Sequence, residues 1–123
     1  MSHPHPRPHP RPFDDQELLE RIDGDWEFLT ETVQMLASDG PALVGQIRDS
    51  LAAGNASAVG RDAHSLKGMI SNFCSPITQA AALEVENIGK SGDLSCAAAA
   101  VETLRLRVDA LIGALNDFLA TRA

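Results

Sequence analysis

From Ala97 to Phe118 the apolar side chains recur at alternating steps of four and three: Ala97, Val101, Leu104, Val108, Leu111, Leu115 and Phe118. A stripe running along about six turns of helix has to be buried, and its spacing suits other helices packed alongside. The rest of the chain supplies them. Asp14 or Asp15 can cap a short helix carrying Leu18, Leu19 and Ile22. After Gly24, Trp26, Leu29, Val33 and Leu36 mark a second helix. Asp39-Gly40-Pro41 reads as a break that caps a third, striped by Leu43, Val44, Ile47 and Leu51 and closed by Gly54-Asn55. A helix from Ala56 toward Phe73 follows. Ser75-Pro76 is an N-cap and first-turn pair for the next, with Ile77, Ala81, Val85 and Ile88 on one side and residues 89–92 at its end. The expected fold is all-α: an antiparallel four-helix bundle with short additional N-terminal helices.

Composition supports helices over sheet, because aromatics make up only 4% of the chain, Tyr is absent and β-branched runs are missing. At 123 residues, one domain spanning 14–123 plus a tail is expected. The tail, 1–13, alternates proline with histidine and arginine; it reads as a flexible linker or an appended tag that joins no core. The spacing of His3, His5 and His9 defines no metal site. A net charge of −7 argues against nucleic acid, whose phosphates demand a basic face. No apolar run approaches bilayer length and no signal peptide is visible, so a cytoplasmic chain without membrane contact is expected. Cys74 and Cys96 lack metal-type spacing and read as buried free thiols, which fits a reducing compartment.

One residue stands out against this helical background. At about 100° per residue, Val59, Leu66, Ile70 and Phe73 project roughly 180–240° away from His64. The imidazole therefore faces away from the core. Around it lie Ser57, Gly60, Gly68 and Ser71, flanked by Arg61 and Lys67. Each interior helical glycine costs roughly 1 kcal/mol relative to alanine. Gly60 and Gly68, one turn either side of His64, are expected to give a partner's surface clearance over the ring. An exposed imidazole is largely the nucleophilic free base at neutral pH. With Lys67 to balance an anion on the ring, the face reads as a phosphoryl-accepting site, and Gly60, Arg61, Gly68 and Ser71 read as its docking surface.

Competing motifs are weaker. Gly89-Lys90-Ser91 looks like the end of a phosphate-binding loop, but Glu84 stands where that loop needs glycine, and the motif ends a helix instead of opening one. No G-x-G occurs, so an ATP-binding kinase core is not expected. A histidine-kinase dimerisation helix would carry an acidic residue after its histidine, where Ser65 stands. Glu84 falls near the Ile77 stripe and is expected to tether helix to helix. Glu86 falls on the opposite side and is expected in solvent, and the facing of Gln79 stays open.

His64-Ser65-Leu66-Lys67-Gly68 resembles the H-x-L-K-G signature of histidine-containing phosphotransfer domains. The likeness extends to Leu83-Glu84 and Gly92-Asp93, and upstream to Asp25-Trp26 and Leu29, covering roughly residues 14 to 118. The chain departs from the pattern at Met69-Ile70-Ser71-Asn72-Phe73-Cys74, where Cys74 takes the place of the family's second glycine. The resemblance implies a phosphocarrier in which His64 Nε2 takes a phosphoryl group from a response-regulator aspartate and passes it to another. It also implies that the receiver partners supply Mg²⁺, so this chain needs no cofactor or metal, and that it is monomeric. The proline-rich start suggests the C-terminal module of a hybrid sensor kinase. The alternative is a helical adaptor that binds a receiver without accepting phosphate; the intact His64 and Lys67 favour the carrier.

Overall fold

The computed structural model describes residues 12–122, the last of them without its side chain. Five helices follow in order: α1 (Asp15–Ile22), α2 (Trp26–Ala52), α3 (Ala56–Ile70), α4 (Pro76–Ser91) and α5 (Ala97–Arg122), with a 3₁₀ turn at Ser71–Phe73. There is no strand among the described residues. Three helix starts are capped by side chains, the first of them at Asp14 as expected. Asp14 accepts the Glu17 amide at 3.0 Å, Asp25 that of Phe28 at 3.0 Å and Asn55 that of Ala58 at 3.1 Å, each satisfying an amide the first turn leaves free. Ser75 occupies the N-cap position of α4 with Pro76 behind it, but its hydroxyl turns instead to the Pro12 carbonyl and to Thr78 Oγ1.

The four long helices contact one another in a cycle, α2 with α3 and α5, and α4 with the same two. Their shared core holds Leu29, Leu36 and Ile47 of α2, Leu66 and Ile70 of α3, Val85 of α4, and Leu104, Leu111 and Leu115 of α5. The α5 stripe expected from Ala97 to Phe118 is buried along its whole length. Among the described residues no helix is long and apolar enough to cross a membrane.

Three expectations are corrected. The break at Asp39-Gly40-Pro41 does not occur, and α2 runs straight through Pro41. Its buried positions Leu29, Val33, Leu36, Gly40, Val44 and Ile47 keep one continuous register, so tertiary burial overrides the missing amide. Gly40 is there for proximity: a Cβ on it would stand 3.3 Å from both Leu36 and Val108. Second, the tail boundary moves. Phe13 is buried and meets Phe118 edge-on at 5.4 Å, and the Asp14 amide donates to the Cys74 carbonyl at 2.9 Å. The rest of the expected tail, with His3, His5 and His9, lies outside the described residues. Third, Cys74 is buried as expected but Cys96 is exposed; both are free thiols. Cys74 takes a left-handed φ of 55°, a conformation natural to glycine.

Candidate functional site

The crossing of α3 and α4 fixes the site. A Cβ at Gly89 would stand 2.4 Å from the Gly60 nitrogen and 2.6 Å from its Cα. At this separation Gly89 leaves no room for a side chain, whereas a Cβ on Gly60 would reach contact distance, 3.4 Å from the Glu86 carbonyl oxygen and 3.5 Å from Gly89. Gly60 is thus buried against α4, and the clearance expected there for a docking partner belongs instead to the helix pair. Gly68 is exposed, and nothing would meet a Cβ on it within 4 Å.

The close crossing brings Glu86 beneath His64. The expected stripe of α4 holds at Ala81 and Val85, which are buried, and at Ile88, which packs against the core, but not at Ile77, which is exposed. Glu84, expected as an internal tether, is exposed, whereas Glu86, expected in solvent, is buried with 2% of its side chain accessible. The buried side of α4 is Thr78, Ala81, Ala82, Val85, Glu86 and Gly89, while the larger Ile77 and Leu83 face outward. Short side chains face α3 because the helices are too close for long ones.

Glu86 gathers three nitrogens. Its Oε2 lies 2.9 Å from His64 Nδ1 and 3.0 Å from Lys90 Nζ, and its Oε1 lies 2.7 Å from Lys67 Nζ. Lys67, then Lys90, then the His64 contact outweigh the cost of burial and hold the Glu86 carboxyl well down, at about 2. Ionised Glu86 can only accept hydrogen bonds, so the ring nitrogen facing it carries the proton, and in the neutral ring the lone pair is then on Nε2. His64 itself is 67% accessible, as its helical phase predicts. Lys67, paired with Glu86, is only 28% accessible.

Beside His64 opens a cleft of about 650 Å³, lined among others by Ser57, Arg61, Ser65, Glu86 and Lys90. Arg61 extends into solvent with only a loose 3.8 Å pairing to Asp62. Ser71 is exposed at the other end of α3; its hydroxyl caps the Gly68 carbonyl and its own carbonyl receives Arg21 at 2.9 Å. Gln79 is half-buried near the start of α4. Among the described residues no group of three or more His, Cys, Asp or Glu side chains is placed to hold a metal ion. Sequence reading missed Glu86 and Lys90. The available signal was the run Ala82-Glu86-Gly89, a carboxylate on a helix stripe of small residues, with Lys90 one turn on.

The Hpt domain family model matches residues 31–114. Among solved structures the chain is similar to histidine-containing phosphotransfer protein B from Pseudomonas aeruginosa PAO1, with a TM-score of 0.81 and 22% identity over 94% of this chain and 98% of that one. At that identity the likeness is one of fold. No curated protein matches the chain.

Proposed function

Because the chain belongs to the Hpt domain family, we propose that it relays a phosphoryl group between response-regulator receiver domains through phosphohistidine at His64. The observation that carries this reading is an exposed imidazole whose inner nitrogen is held by a buried carboxylate. The Nε2 lone pair attacks the phosphorus of a receiver's aspartyl phosphate. The N–P bond forms, the O–P bond breaks, and the aspartate leaves as carboxylate. The ring becomes cationic while retaining its Nδ1 proton, and Glu86 stands against that charge. In a loose phosphoryl-transfer transition state, positioning and charge balance do most of the work. Lys67, held on Glu86, adds positive charge beside the ring. The receiver supplies the aspartate and Mg²⁺. Transfer to a second receiver reverses the step, so the chain is a carrier with no ATP-binding core of its own.

In the same reading α2 to α5 form an antiparallel four-helix bundle, supported by the short connections 53–55, 71–75 and 92–96. Gly68, Ser71 and Arg61 lie on the exposed surface around His64 that a receiver would cover. The chain acts as a monomeric cytoplasmic module, tethered through its proline-rich start to a hybrid sensor kinase.

The test is incubation with a phosphorylated receiver domain and Mg²⁺. Acid-labile, base-stable label is expected on the wild-type chain and none on His64→Gln, with equal helical circular dichroism for both. Unlabelled wild type that still binds the receiver would make the chain an adaptor.

A further inference from the structure

Resting on that reading, the geometry points to Lys90 as a mobile second cation, held on Glu86 while His64 is free and transferred to the phosphoryl group once His64 carries it. Glu86 Oε2 serves two donors at once, His64 Nδ1 at 2.9 Å and Lys90 Nζ at 3.0 Å. The two nitrogens therefore lie within about 6 Å of each other. The other oxygen is taken by Lys67, whose side chain is largely covered. Lys90 is different: 67% of its side chain is accessible, and it lines the same cleft as His64. Its tie to Glu86 spans one turn of α4 and joins an exposed ammonium to a buried carboxylate oxygen.

Charge counting gives the direction of movement. Glu86 brings one negative charge against two lysines, leaving the unmodified site with a cation in excess. A phosphoryl group adds close to two negative charges at neutral pH on the solvent side of the ring. In the phosphorylated state the cationic ring and Lys67 suffice for Glu86. Lys90 then gains more from the phosphoryl oxygens, which its flexible stem and three donors suit. Arg61, across the cleft, is the competing cation, but it is engaged with neither Glu86 nor the ring and leans on its neighbour Asp62. By stabilising phosphohistidine, Lys90 sets the share of phosphoryl group that rests on this chain against its partner.

The chain contains two lysines, Lys67 and Lys90, so their ammonium signals can be followed separately. The full chain carrying His3→Gln, His5→Gln and His9→Gln, so that His64 is its one histidine, is labelled with ¹⁵N-lysine and treated with potassium phosphoramidate; the N–P bond to His64 forms as ammonia leaves the reagent. Lys90→Arg assigns the signals. On appearance of the phosphohistidine ³¹P resonance, the Lys90 Nζ signal is expected to move and the Lys67 signal to hold. In exchange with a receiver, Lys90→Gln should lower the phosphorylated share about tenfold, the worth of one charge-assisted contact. Lys90→Arg should restore it. A chain keeping His64 that forms no phosphohistidine with either donor removes the underlying reading. Phosphohistidine that leaves the Lys90 signal unmoved, or an unchanged share in Lys90→Gln, removes the role of Lys90 alone.

Discussion

Gly89→Ala and Gly68→Ala make the same chemical change on neighbouring helices and should move stability in opposite directions. At Gly68 the added methyl meets nothing within 4 Å, so only the chain entropy counts. That stabilises by roughly 0.5–1 kcal/mol. At Gly89 the methyl would lie 2.4 Å and 2.6 Å from backbone atoms of Gly60 and 2.9 Å from the Ala56 carbonyl oxygen. Comfortable contact needs about 3.5 Å, so α3 and α4 must separate by roughly 1 Å. Neither neighbour is a flexible side chain, and overpacking of this kind costs about 1–3 kcal/mol. Net of the entropic gain, Gly89→Ala should lose about 1–2 kcal/mol, or about 4–8 °C in Tm, while Gly68→Ala gains about 2–4 °C. Gly60→Ala, whose contacts begin at 3.4 Å, belongs between them. Thermal and urea unfolding followed by helical circular dichroism read all three. A Gly89→Ala chain melting at or above wild type would refute the account of the crossing, and with it the reason Glu86 lies under His64.

Gly68→Gln should leave Tm level or higher yet weaken receiver binding and transfer; normal transfer would show that bare backbone there serves no docking. Lys67→Ala should slow phosphotransfer by about 10- to 100-fold, roughly 1.4–2.7 kcal/mol in the barrier, read in single-turnover labelling. Glu86 has its pKa lowered in the fold, so its contribution is complete above the ordinary carboxylate range and fades as pH falls toward about 2. Urea midpoints measured from pH 6 to pH 2 should therefore fall more steeply for wild type than for Glu86→Gln. Parallel curves would mean the carboxylate is not held as its contacts indicate.

Large apolar side chains made part of this molecule readable from sequence. Leu66, Ile70 and Phe73 fix the phase of α3, and so the outward turn of His64 follows from spacing alone. The phase of α4 was read from Ile77, Ala81, Val85 and Ile88; Ala81 and Val85 are buried, but Ile77 is not, and the rest of the inner side is Thr78, Ala82, Glu86 and Gly89. Hydrophobicity ranks a residue by how much it can bury, whereas a close crossing selects for how little space it takes. The same reasoning hid Gly89, whose bareness lets α3 approach, and left Glu86 and Lys90 unassigned. Pro41 misled for a related reason: a local breaker lost to a long buried register. Phe13 was grouped with the prolines before it, because one aromatic next to a polar run carries no periodic signal.

The meeting of Phe13 with Phe118 has an engineering consequence. Phe118 also lies 5.6 Å from Trp26, so both ends of the folded chain converge on one aromatic cluster. Ends that start side by side can be joined by a short loop, and the chain reopened elsewhere, without moving a helix. The turn at Gly54-Asn55 is exposed and joins α2 to α3, which makes it a natural place to cut. A circular permutant opened there would keep every contact of Glu86 while presenting α3 first. By the same geometry, the whole helical unit could be spliced into a surface loop of an unrelated host, entering and leaving through one doorway.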